Sequence, residues 1–470
     1  MTQKETILFS QMDLTDSINT IKYVEEFKKD FNVVYSTFAE SELLYNAAAR
    51  SGISLHHIPF LKDTEVPTNR AEIDDKLQSI EQEVGMPLEK VFFGDREFYR
   101  IYKKNELTCL AWFIKVWERF RKIIEENDVM HHFCFGEDRL HDLVPYYLIK
   151  NRGGRSYLVR IVPYYGVTYT NDFFGRFTHD YNIKINKANF EDYKKHIKEN
   201  KVYFNPATIN RIDYYKYANA GRLFRRLQEI EKINWQDKDN IYKDHNIKLL
   251  PILTKKLWSN GIKGRLTKAL AYGQIDEDQR YIYYPFHFTD DAQVRLKYPE
   301  GYNQYELIRN IARNIPVSFK LLVKEHPAYV GKYSIGELHD LSKLPNIVVI
   351  DPKISSKDIF NYSDYVITIN STVGYEALFY DKIVITMGNS FYDDFPGVIK
   401  IRDVSELYKI LTDDGLISCK REELSRGLKE KTIALLESTL QYDYYHFYDE
   451  DNIKKMKDLL LIYINDQRKK

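Results

Sequence analysis

Five short segments between residues 6 and 58 switch hydrophobic period in turn, and that switching constrains the chain more than any other feature. Residues 6–10 form a short apolar run, and residues 17–29 carry Ile18, Ile21, Val24 and Phe27 at helical spacing. Residues 32–35 are apolar again, 41–50 return to the helical period, and 53–58 read as a third strand. Strand–helix–strand order needs crossovers between parallel strands. Right-twisted strands accept these only in the right-handed sense, so a parallel sheet with helices on its faces is expected. The alternation resumes after Gln274, with strands predicted at 281–288, 318–324, 347–350, 365–369 and 383–387 and helices between them, including 303–314 and 338–344. The expected fold class is α/β, with two Rossmann-like, doubly wound lobes and a cleft between them.

At 470 residues the chain exceeds one ordinary core, in line with two lobes. Residues 64–130 are helix-rich, with Trp112, Trp117 and Phe120 at core spacing. An apolar strand then ends at Gly136, followed by Glu137 and Asp138, a helix at 141–150 and a strand at 156–162. The expected boundaries are an N-terminal lobe over 1–270 with helical insertions, a C-terminal lobe over 271–435, and a terminal helical segment over 436–470. The apolar stripe of that last segment, Ile453, Met456, Leu459, Leu460 and Tyr463, suits packing back on the first lobe. Residues 251–273 carry Lys255, Lys256, Lys263, Arg265 and Lys268 and no acids. They read either as a patch facing anionic lipid or a lipid-linked glycan, or as a solvated basic face interrupted by Gly261 and Gly264.

Lys and Arg number 69 against 68 Asp and Glu, so no global charge draws the chain to nucleic acid or membrane. The 38 tyrosines are spread along the whole chain and mark no single sugar site. Cys109, Cys134 and Cys419 are far apart and odd in number, which argues against a disulfide framework or a zinc cluster and fits a reducing compartment. The first ten residues lack the apolar core of a signal peptide, and no apolar run reaches the roughly 18 residues of a membrane span. The expected location is the cytoplasm, with peripheral contact at the inner face of the cell membrane left open.

Three strand ends carry chemistry. The strand at 365–369 runs into Asn370, Ser371 and Thr372 where a helix begins. Ser371 or Thr372 stands at the N-cap, and hydroxyls there join free backbone N–H groups to suit a phosphate. Gly374 would allow close approach of backbone or ligand, and Glu376, one turn in, could accept hydrogen bonds from ribose hydroxyls. The strand at 318–324 delivers Lys324, Glu325 and His326 to its carboxyl end, where Pro327 stops further pairing. After the strand at 281–288, His287 and Asp291 are placed to hold donor sugar or nucleotide. Each piece also has a plain structural reading, as a capped helix junction or a solvated turn; a shared carboxyl edge of one sheet is what favours a ligand. Asp172 and the pair Asp393–Asp394 lack an Asp-x-Asp pattern, so no metal is expected. The adjacent pairs His56–His57 and His131–His132 point to opposite faces of their strands and make poor ligand pairs.

Together, Lys324-Glu325-His326-Pro327, residues 370–377 and residues 387–392 before Pro396-Gly397 resemble the capsule polysaccharide synthesis family, whose members include β-Kdo transferases using CMP-Kdo. The resemblance covers residues 281–402. It implies a GT-B fold with nucleotide in the second lobe and acceptor in the first, and it implies that His326, Ser371 and Thr372 contact the nucleotide phosphate. One departure is Thr289-Asp290-Asp291, where those transferases often carry a glutamine, and it leaves the donor open. Glycosyl transfer also needs a base for the acceptor hydroxyl. Glu137 and Asp138 are the candidates, although both would also serve as helix-start acids.

The expected function is therefore transfer of a sugar from a nucleotide donor, a CMP-activated acidic sugar such as Kdo, to a surface polysaccharide or lipid-linked glycan. No cofactor beyond the nucleotide sugar and no nucleic-acid partner are expected. The alternatives are a CDP-alcohol polyol-phosphate transferase, a sugar-nucleotide epimerase, and a non-catalytic nucleotide- or glycan-binding subunit of a capsule export complex.

Overall fold

The structure, a computed structural model, describes residues 4–12, 14–65, 69–173, 183–199, 263–288, 291–326, 333–441 and 448–467. Most of the basic segment at 251–273, together with Thr289, Asp290 and Pro327, lies outside the described residues.

Two sheets organise the chain. The first takes strands β1 (Thr6–Gln11), β2 (Asn32–Thr37), β3 (Leu55–His57), β4 (Val129–Cys134), β5 (Arg155–Val162) and β6 (Gly166–Thr170). The second takes β7 (Arg280–Pro285), β8 (Phe319–Lys324), β9 (Ile347–Ile350), β10 (Ser363–Thr368), β11 (Ile383–Thr386) and β12 (Val398–Lys400). A short β13 (Leu440–Gln441) then returns to the first sheet. The orders are β13-β6-β5-β4-β1-β2-β3 and β12-β11-β10-β7-β8-β9. The second sheet is parallel throughout. Its chain order reverses between β7 and β10, as the first sheet's does between β1 and β4. At such switch points the flanking crossovers leave on opposite faces and open a crevice at the carboxyl ends of the strands. Strands buried on both faces read as continuous apolar runs, which is why Ile347–Ile350 and Ile383–Thr386 were legible from sequence. The two expected Rossmann-like lobes are therefore present.

The first sheet departs from the all-parallel expectation at its far edge. After Val162 the chain turns through Tyr164, at φ 63°, and β6 runs antiparallel to β5. Gly166 allows β13 to close on this hairpin, because a Cβ there would lie 1.9 Å from the Leu440 carbonyl oxygen.

Helix Glu106–Glu126 buries Trp112, Trp117 and Phe120, and the Trp112 indole N–H is satisfied by the Pro59 carbonyl at 2.8 Å. Helices Phe190–Glu199 and Lys263–Ala271 precede residue 271 in the chain yet pack with the second sheet, through Phe190, Tyr193, Ile197 and Ala271. The terminal helix Glu450–Gln467 lies on the first lobe. Ile453, Met456, Leu459, Leu460 and Tyr463 join its core, and the Tyr169 hydroxyl donates to the Met456 carbonyl at 2.8 Å. Among the described residues the chain passes between lobes near residues 185 and 438, and these two stretches are bonded to each other. The Ile185 N–H donates to the Glu437 carbonyl at 2.8 Å, and the Asn186 side chain donates to the Thr439 carbonyl at 2.5 Å. Among the described residues, no helix is long and apolar enough to cross a membrane.

Docking of the terminal helix is a packing problem, so truncating its most buried position should be costly. Leu460→Ala, at a side chain with no exposed surface, should lower unfolding stability by about 2–5 kcal/mol in chemical denaturation.

Candidate active site

The carboxyl ends of both sheets open on one cavity of about 510 Å³, a size that suits a small polar ligand. The first lobe contributes Phe135–Asp138 from the loop after β4, Arg160 from β5, and Thr170 and Asp172 after the hairpin. The second contributes His287 and Phe288 after β7, Asp291, Gln293 and Lys297 beyond it, His326 after β8, and Asn370–Thr372 after β10. His326, Ser371 and Thr372, distant in the chain, thus line one space, as do Glu137, Asp138, His287, Asp291 and Asn370.

Ser371 is the N-cap of helix Thr372–Leu378. Its Oγ accepts from the Val373 N–H at 3.2 Å, while its own N–H donates to Thr368 Oγ1 at 3.1 Å. Asn370 is clamped through its Nδ2, which donates to the Gln293 and Asn389 carbonyls at 3.1 and 3.2 Å. The His326 ring packs against Phe288 at a tilt of 43°, with centroids 4.1 Å apart. Burial, helped by Lys324, pushes its imidazole down to about 4, so at neutral pH it is an uncharged hydrogen-bonding group.

His287 is a brace. Its Nε2 accepts the Ile369 N–H at 3.2 Å and lies 3.0 Å from Thr368 Oγ1, tying the end of β7 to the end of β10 across the switch point. Gln304 and Tyr333 fix its backbone, and burial lowers the imidazole to about 3.

Glu137 is the most heavily engaged carboxylate in the cavity. Oε2 pairs with the Arg160 guanidinium. Oε1 accepts from Gln293 Nε2 at 2.7 Å and lies 3.5 Å from Lys297 Nζ. Burial alone would raise its pKa, but Arg160 and Lys297 outweigh that and hold it below the usual carboxylate range. Burial and the neighbouring Arg160 push Lys297 down to about 8 against the pull of Glu137. A carboxylate held ionised by two cations and an amide is a poor proton acceptor, so Glu137 suits bridging the lobes better than acting as a base. Asp138 lines the cavity half-buried, and among the described residues no ion pair or hydrogen bond occupies its carboxylate. Asp291 caps its own loop by accepting the Gln293 N–H at 3.0 Å, and burial raises its pKa.

Four expected ligand contacts require correction, because their residues do not line the cavity. Lys324 Nζ turns to the Ile354 carbonyl and Ser356 Oγ, each at 3.0 Å, and burial lowers it to about 8. Glu325 is fully buried and accepts the Tyr272 hydroxyl at 2.6 Å. Glu376 accepts the Tyr164 hydroxyl at 2.8 Å, making a second link between lobes in place of a ribose contact. Gly374 admits protein, not ligand: a Cβ would sit 2.6 Å from the Tyr392 hydroxyl and 3.0 Å from Thr368 Cγ2. Asp393 accepts from Thr386 and pairs with Lys400 at 3.0 Å, which closes a loop.

Arg160, Gln293 and Lys297 were missed. Arg160 left one signal, a cation set within the apolar run Tyr157–Val162; Gln293 and Lys297 left none, because their role arises only when the two lobes meet.

Two Rossmann-like lobes with a polar cleft at their facing switch points make this an α/β protein of GT-B layout. Residues 222–409 match the family described as capsule polysaccharide biosynthesis protein, so the family resemblance seen in the motifs at 281–402 holds across a longer segment. Protein FixF of Sinorhizobium fredii (strain NBRC 101917 / NGR234) is 34% identical over 136 residues, covering 28% of this chain and 32% of that one. Capsule polysaccharide modification protein LipA of Neisseria meningitidis serogroup B is 25% identical over 196 residues, covering 41% of this chain and 24% of that one. The matches thus span about a quarter to a third of those relatives' lengths. Among solved structures, Thermosulfurimonas dismutans KpsC, beta Kdo 2,7 transferase, is similar at 13% identity and a TM-score of 0.33, over 90% of each chain. Anabaena Alr3699/HepE in complex with UDP-glucose is similar at 10% identity and 0.30, over 97% of this chain and 99% of that one. Both scores lie below 0.5, and neither substrate nor reaction follows from them.

Glu137→Gln should cost about 3 kcal/mol of stability, because Arg160 and Lys297 would be left buried around an uncharged amide. The pH response has a defined sign. The folded-state pKa of Glu137 is depressed, so its contribution is present above the ordinary carboxylate range and is lost as pH falls through the folded value. Denaturation curves across the acid range should therefore converge for wild type and Glu137→Gln at low pH and separate above it.

Proposed function

We propose that this chain is a glycosyltransferase that moves a sugar from a nucleotide donor, a CMP-activated acidic sugar such as Kdo, onto a surface polysaccharide or lipid-linked glycan. The observation that carries this reading is the shared cavity, in which two hydroxyls and an uncharged imidazole from one lobe face a carboxylate from the other. The donor phosphate would lie by Ser371 and Thr372, with His326 giving it one N–H. The donor phosphodiester arrives with one negative charge and gains a second as its bond to the sugar breaks, which would favour protonation of that imidazole and strengthen the contact. The acceptor hydroxyl would lie by Asp138. Its oxygen bonds to the anomeric carbon as the bond from that carbon to the phosphate oxygen breaks. The electron pair leaves with the nucleotide, and the hydroxyl proton passes to Asp138.

The capsule polysaccharide biosynthesis match and the likeness to LipA support a surface glycan as acceptor class. In this reading the nucleotide sugar is a co-substrate, catalysis needs no further cofactor and no metal, and the enzyme works on the cytoplasmic side, in peripheral contact with the membrane when the acceptor is lipid-linked.

A thermal-shift panel of CMP, CDP, UDP and GDP tests the reading. CMP should raise the melting temperature of wild type and do so less for Ser371→Ala. Asp138→Asn should keep the shift while sugar transfer falls by about 10²–10⁴-fold. If none of the four nucleotides shifts the wild type, the reading fails; a shift by CDP alone would favour a polyol-phosphate transferase, and a shift without turnover a binding subunit.

A further inference from the structure

Behind the wall of the cavity, the core of the first lobe gathers three ligand-type side chains. His132 and Cys134 project from the same face of β4, two residues apart, and Asp142 comes from the first turn of helix Leu140–Asn151. One ligand atom from each lies within 4.8 Å of the other two, and all three residues are buried. His132 Nδ1 is 3.1 Å from Cys134 Sγ. None of the three faces the cavity, and the proposed transfer uses none of them.

The hydrogen bonds around His132 fix which of its nitrogens carries a lone pair. The single hydroxyl proton of Ser10 is spent on the His141 carbonyl, 2.6 Å away. Ser10 Oγ, 3.1 Å from His132 Nε2, can then only accept, so Nε2 carries the proton and Nδ1 the lone pair. Nδ1 lies 3.1 Å from Cys134 Sγ and 3.3 Å from Ser156 Oγ, and the sulfur sits over the ring, 3.5 Å from Nε2. A metal-binding histidine is held in this way, its far N–H given to a protein acceptor so that the near nitrogen is aimed and basic. A fourth ligand atom is at hand: His141 Nε2 lies 3.3 Å from Asp142 Oδ2. The charge count also closes. A divalent ion with one thiolate, one carboxylate and neutral imidazoles is a neutral unit, which a protein core tolerates far better than isolated charges.

We propose that His132, Cys134 and Asp142, with His141 as the adjacent fourth group, form a structural site for a divalent metal of zinc type. A mixed sulfur, nitrogen and oxygen set suits zinc, and a closed, buried set is the structural kind. Binding releases two protons, from the Cys134 thiol and the Asp142 carboxyl, as the ion enters during folding. The site would pin β4 to the start of the next helix directly beneath the loop bearing Glu137 and Asp138. Gly136 of that loop is so close that a Cβ would lie 3.3 Å from Asp142 Oδ2.

The test uses the full chain carrying Cys419→Ser, which removes the exposed thiol. After expression in zinc-supplemented medium and dialysis against a weak chelator, elemental analysis should find a single equivalent of zinc. Refolding with Co²⁺ should give thiolate-to-cobalt charge-transfer absorption, absent when Cys134→Ser is added. Ser10→Ala, which removes the acceptor behind His132 together with the hydroxyl's bond to the His141 carbonyl, should weaken metal affinity by about 10–100-fold. Wild-type levels of metal in the Cys134→Ser protein would overturn the proposal. So would a parent protein that purifies without stoichiometric metal and refolds without the cobalt band, and this result holds even if the variants fail to fold.

Discussion

One buried carboxylate joins the two halves of the molecule. Glu137, on the loop after β4, gathers Arg160 from its own lobe and Lys297 and Gln293 from the other. Its geometry can be satisfied only when the lobes are in register, because neither lobe alone supplies all the donors. The cost of burying two cations is then offset by a single anion that reaches both of them. Around this hub lie contacts of different chemistry: Arg295 stacked 4.1 Å above Phe93, and Glu376 accepting from Tyr164. Cleft width, and hence the position of every residue lining it, depends on that meeting point.

The division of labour among the polar residues follows from what each side chain has left to offer. His287 and Glu137 spend their capacity inside the protein and give the cavity shape. His326, Ser371, Thr372 and Asp138 face the same space. Two adjacent acids, Glu137 and Asp138, thus take different parts: one is surrounded by cations, and the other is turned to the cavity.

Much of this was legible in the sequence, and the reasons differ by element. Parallel strands declare themselves as short apolar runs, and every central strand of both sheets was read within a few residues. The hairpin partner β6 was not, because Gly166–Thr170 has neither a long apolar run nor a turn signal stronger than Pro163. Strand ends pointed to the right loops, yet sequence position could not say which way a side chain turns there. Lys324, Glu325 and His326 are consecutive, but only the third faces the cavity. Gly374 reads as an opening for a ligand, whereas its missing side chain is filled by Tyr392. Residues whose partners lie on the other lobe, such as Lys297 and Gln293, have no local pattern to betray them.

The paired crossings between lobes bear on how this molecule can move. Two separate covalent connections usually allow two bodies to twist or shear as well as open. Among the described residues, the passages at 185–186 and 437–439 are bonded to each other and leave from one seam. Such a seam behaves like the spine of a book: the lobes can swing about it, but they cannot slide past each other without breaking the bonds that hold the two chains side by side. Swinging about that spine opens the cleft most at the edge farthest from it.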